Sequence, residues 1–169
     1  MRAWTWASPL HDTHAEHHAP SDLDDASLNR LAASATTHCL IGCGIGEVLG
    51  FVIGTWRGWG DLATVALAVA LAYVFGYALT LVPLLRGGVA PGRAAALAFV
   101  ADTVSITVME IVDNAVLLVM PGAMEATLDE LQFWAWLALA LAVAWIVVFP
   151  VNRRLIARGR GHAVVHAHH

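Results

Sequence analysis

The chain has 169 residues, 59% of them hydrophobic and only 13% charged, with a mean hydropathy of +0.67. This is a membrane composition and excludes an ordinary soluble globular domain. The formal net charge is −4, and no basic stripe with interleaved aromatics is present, which speaks against nucleic-acid binding.

Residues 1–20 form a polar tail carrying His11, His14, His17 and His18. It has no apolar period and is expected to be disordered. Its HDTHAEHH run is suited to loose binding of divalent metal ions. No signal peptide is apparent, because His and Asp interrupt the start where an apolar run is needed. The first membrane helix is therefore expected to act as an uncleaved insertion signal. A four-helix transmembrane domain is expected over 21–160. It opens with a short helix over 21–35, capped by Ser21, that either lies on the membrane surface or extends the first span.

The first span, about 37–56, contains Cys39, Cys43 and Glu47 at four-residue spacing, and Gly42, Gly46, Gly50 and Gly54 at the same spacing. Residues four apart share a helix face. The pattern predicts a polar row beside a smooth row that docks closely on another helix. The two cysteines are expected to be free, since Cβ atoms four apart on a helix lie ~5–6 Å apart, beyond the ~3.8 Å of a disulfide. TWRGWGD then turns the chain. The second span, about 62–85, is apolar except for Tyr73, Tyr77 and Thr80 on one face, and Pro83 marks its approaching end.

The third span, about 93–120, is the most polar. At ~100° per residue, Asp102, Met109 and Asp113 point nearly the same way. Thr103, Thr107, Glu110 and Asn114 flank them, and Val104, Val108, Ile111 and Val112 form an opposite face suited to lipid. Ionised carboxylates in hydrocarbon cost several kcal/mol, so these acids are expected to meet protons, cations or partner groups. The fourth span, about 133–151, has no ionisable residue and reads as a scaffold wall. A second His-rich tail follows at 161–169.

The fold class expected is therefore all-α, an integral-membrane four-helix bundle. Arg86 and Arg93 flank the second connector, and Arg153, Arg154, Arg158 and Arg160 follow the fourth span. The positive-inside rule then places both termini in the cytoplasm, and Trp56, Trp59, Trp134 and Trp136 at the outer interface. A multi-pass protein of a bacterial plasma membrane is the expected setting.

The candidate metal site combines His38, Cys39, Cys43 and Glu47 with Asp102, Met109, Glu110 and Asp113. Thiolate, imidazole and thioether suit Cu(I), whereas thiolate, imidazole and carboxylate suit Zn2+. The HCLIGCGIG motif at 38–46 and the MEIVDN motif at 109–114 resemble a family of small four-helix bacterial membrane proteins catalogued as a domain of unknown function, some of them labelled copper-related. The resemblance spans about 37–160, implies the four-helix fold and a copper connection, and supplies no activity. The leading expectation is a non-enzymatic protein that binds or moves Cu(I) or Zn2+ in a lipid bilayer. A homo-oligomer joined through the glycine row is one expected assembly. A membrane thiol oxidoreductase using Cys39 and Cys43, and a structural protein whose acids only hold helices together, are the alternatives.

Overall fold

A computed structural model describes residues 24–123 and 126–158. It contains four helices: α1 over Asp25–Arg57, α2 over Asp61–Arg86, α3 over Pro91–Val119 and α4 over Leu131–Ala157. Each is long and apolar enough to cross a membrane, since ~20 apolar residues span the hydrocarbon core. Both His-rich tails, 1–20 and 161–169, lie outside the described residues.

The expected short helix and first span are one continuous helix. Asp24 is the N-cap of α1, and its carboxylate accepts a hydrogen bond from the Ser27 N–H. Ser21, expected as the cap, lies outside the described residues. The first turns of α1 are held by α4 and do not lie flat on a surface. Leu28, Ala32 and Ala35 pack against Ile156, and Arg153 donates to Asp25 and Asn29, each at 2.7 Å. α1 ends at Gly58, whose φ of 67° closes the turn while its N–H bonds back to Gly54 and Thr55.

The helices pack in a ring, α1 against α2, α2 against α3, α3 against α4 and α4 against α1, and α1 also reaches across to α3. The closest seam is α1 on α2. A Cβ placed on Gly42, Gly46, Gly50 or Gly54 falls under 3.0 Å from Gly76, Ala72, Ala68 or Thr64 in turn. The glycine row is thus consumed inside the protomer, which corrects its assignment as a dimer contact. With no hydrophobic gain between helices in lipid, such close backbone approach supplies the dispersion contacts that hold them.

The α2 hydroxyl face pairs with α3. Tyr73 bonds Thr107 at 2.7 Å, and Tyr77 bonds Thr103 at 2.9 Å. On α3, Val104 and Ile111 are exposed as expected for a lipid face. Val108 and Val112, by contrast, are half-buried against the central core, because the ring brings α4 and α1 around that edge. Ile106 is fully buried, and its side chain occupies the space that a Cβ on Gly76 would need.

Candidate functional site

α1 and α3 run in the same direction, so their polar rows advance together along the bundle. Glu47, Glu110 and Asp113 are all buried, and each offers a carboxylate oxygen within 4.8 Å of the others. Asp113 accepts the Asn114 N–H at 2.9 Å through one oxygen. Among the described residues, its other oxygen and Oε2 of Glu47 accept no hydrogen bond, and Glu110 has no partner but the Cys43 thiol. Asn114 braces this stretch by donating its side-chain amide to the Glu110 carbonyl at 2.8 Å.

The electrostatics of this cluster are one-sided. All nine basic residues of the chain are arginines, and none falls within 31–56, 58–85 or 94–152. The carboxylates thus lie ten or more residues from any arginine of their own helices. Three anions this close in a low-dielectric core repel strongly, so the group must hold protons, a cation or both. Oxygens that ligate one Zn2+ at ~2.0–2.2 Å lie at most about 4 Å apart, a small closure from the observed spacing.

Sulfur donors adjoin the cluster. The Cys43 thiol lies beside both Cys39 and Glu110. Cys39 and Cys43 are free and buried, and they share one core cluster with Met109. Six of the eight expected site residues therefore gather in two adjoining groups, carboxylates toward the Trp-rich connectors and sulfurs toward the termini.

The other two, His38 and Asp102, form a separate group. His38 Nε2 lies 3.4 Å from the Thr80 hydroxyl of α2, and Asp102 also faces Thr80. Asp102 is eight residues before Glu110, or ~12 Å along a helix at ~1.5 Å per residue. One ion cannot be bound by all eight residues at once.

A third polar layer joins residues that the spacing within any one span does not bring together. Asn152 donates to the Thr36 hydroxyl at 2.9 Å, and Ser105 donates to the Asn152 side-chain oxygen. Thr36 in turn donates to the Ala32 carbonyl at 2.7 Å. The layer ties α1, α3 and α4 together. Asn152 falls just past the 151 boundary that the apolar run predicts for the fourth span, whereas α4 continues to Ala157. The scaffold wall thus contributes one buried polar residue.

At the other end of the bundle, a cavity of about 190 Å3 opens among the connectors, with Thr55, Asp61, Thr64 and Thr127 in its wall. Phe51 and Leu117 form its floor. Trp136, expected at the outer interface, turns inward and packs with Phe51 against Leu117 and Ala140. Trp56, Trp59 and Trp134 remain exposed near the same connectors. A wider apolar groove between α2 and α3 also reaches Glu110 and Asn114 from the exposed side of the bundle.

Among curated proteins and solved structures, none matches the chain. A family profile does match it, over residues 28–161, which takes in both polar rows and all four helices but for the first three residues of α1. The chain belongs to the family described as Domain of unknown function (DUF4396).

Proposed function

We propose that this is a metal-ion binding and transport protein of a bacterial plasma membrane, and that its ion is Zn2+ held by Glu47, Glu110 and Asp113 with Cys43 as the sulfur donor. Both termini face the cytoplasm in this reading, because the arginines cluster at that end. The observation that carries it is the set of buried carboxylate oxygens that, among the described residues, meet no donor but the Cys43 thiol and lie ten or more residues from any arginine of their own helices. Buried carboxylates without donors are costly, and a divalent cation satisfies all of them together. Mixed oxygen and sulfur donors suit Zn2+, while a hard ion such as Mg2+ does not seek thiolate.

Each residue has a defined task. Glu47, Glu110 and Asp113 hold the charge, and Cys43 adds affinity and selectivity for a borderline-soft ion. Asn114 positions the α3 acids through its bonds to Glu110 and Asp113. The His38–Thr80–Asp102 group is a second polar station ~12 Å further along the bundle, placed to exchange a proton or receive the ion.

The test is zinc bound per full-length chain, measured by elemental analysis after purification without a polyhistidine tag. Glu110→Gln and Asp113→Asn are each expected to lower zinc affinity at least ~10-fold, beyond any zinc held by the His-rich tails. Zinc binding that is unchanged in both variants would sink this assignment.

One observation favours a second reading. Cys39, Cys43 and Met109 share an apolar core cluster, and two thiolates with a thioether suit Cu(I). In that case Cu(I) binding is lost in Cys39→Ser and Cys43→Ser but survives Glu110→Gln. A thiol oxidoreductase is disfavoured, because the thiols occupy successive turns of a regular helix and a disulfide there needs the helix to distort.

A further inference from the structure

The carboxylate cluster is separated from the two ends of the bundle by barriers that differ about twofold in thickness. Toward the connectors, Phe51 stands one turn beyond Glu47 on α1, and Leu117 stands one turn beyond Asp113 on α3. One turn is ~6 Å. Past that single layer lies the cavity of about 190 Å3 with Asp61 and three threonines in its wall. Toward the termini, the core is continuous. Ile106, Met109 and Val148 are fully buried, and behind them the Thr36–Asn152–Ser105 layer is closed by hydrogen bonds. That barrier runs from Glu110 back to Asp102, eight residues or ~12 Å.

We infer that Phe51 is the gate of this protein and that ions reach the carboxylates from the connector end, through the cavity that Asp61 borders. Phe51 meets Phe133 of α4 edge to face, with ring centroids 5.4 Å apart and an interplanar angle of 84°. That contact latches the ring over the route between α1, α3 and α4. A ring swings aside by a rotamer change, whereas opening the other end means separating whole helices.

Two further features fit a layer that opens. Trp136 packs into the same collar, and its buried indole N–H has no acceptor among the described residues. A buried donor without a partner favours any state that admits water. Asp61 and the threonine hydroxyls supply oxygen atoms where a cation first loses hydration. The groove between α2 and α3 is a poor route by comparison. It shares Phe51, Asp61, Val65 and Leu117 with the cavity. Beyond them its walls include Leu62, Val69 and Ile111, and the Tyr73 and Thr107 hydroxyls there are bonded to each other.

The gate rests on the carboxylate cluster being the ion's destination, but its test does not depend on zinc. Cys43 lies beside Glu110 and serves as the reporter in full-length Cys39→Ser protein. A charged, membrane-impermeant methanethiosulfonate is applied to vesicles from either side. Gly60→Cys in a separate sample marks the side that bears the first connector. Phe51→Ala is expected to speed Cys43 labelling about tenfold from the connector side, with the rate from the opposite side unchanged. Phe51→Leu, which retains a plug, keeps the slow rate and shows that a folded bundle is being read.

Labelling that enters faster from the terminal side, or a connector-side rate that Phe51→Ala leaves unchanged, overturns the gate. Repeating the assay with ZnCl2 separates the two proposals. Protection of Cys43 by zinc supports both. Labelling gated by Phe51 but indifferent to zinc leaves the gate standing and removes the zinc assignment.

Discussion

Glu110 is the residue where the two donor groups meet. Its carboxylate sits with Glu47 and Asp113, and among the described residues it has no hydrogen-bond partner but the Cys43 thiol. A neutral amide there removes one anion and one ligand while keeping the shape. Glu110→Gln is therefore expected to weaken zinc binding without unfolding the bundle, and it should raise the thermal midpoint of the metal-free protein by relieving repulsion. A lowered midpoint in the apo protein would mark Glu110 as a structural group instead. The acids themselves were legible from sequence, since a helix with Asp102, Met109 and Asp113 on one line has few other uses for it. Their division was not. Helical spacing gives direction and depth, but it does not say that His38 and Asp102 converge on Thr80, because that depends on where α2 crosses.

At the scale of the element, α1 carries two rows that do different work. The glycine row sets the distance to α2, and the Cys–Glu row faces the interior. A methyl group on Gly46 or Gly50 would fall against Ala72 or Ala68 backbone atoms, which cannot move as a flexible side chain can. Gly46→Ala is expected to destabilise the protein by ~1–3 kcal/mol through overpacking. Gly44→Ala is the control, since its Cβ would meet only Leu141 at an ordinary 3.5 Å. Equal thermal midpoints for the two variants would contradict the seam. The four-residue period foretold a close partner for α1 but not which one. The same pattern serves a neighbour in the chain or a second copy equally well, and only the facing row of Thr64, Ala68, Ala72 and Gly76 resolves it. Asn152 belongs to this scale as well. Asn152→Ala leaves Ser105 without its acceptor and is expected to cost ~1–3 kcal/mol, read as a lowered unfolding midpoint with zinc affinity preserved.

For the whole molecule, the four spans, their order and their apolar surfaces follow from composition and period alone, because lipid permits few alternatives to helices. What composition leaves open is the interior. A ring of four helices brings α1 and α3 into contact across the bundle, and that contact turns separate polar residues into one carboxylate and sulfur site. The measurement that tests this most directly is X-ray absorption at the zinc edge of full-length protein loaded with one equivalent of Zn2+. The account predicts an oxygen-rich shell with one sulfur at ~2.3 Å, with the sulfur lost in Cys43→Ser and oxygens lost in Glu110→Gln. A shell of imidazole nitrogens that neither substitution alters would place the ion on the His-rich tails and contradict a site between α1 and α3.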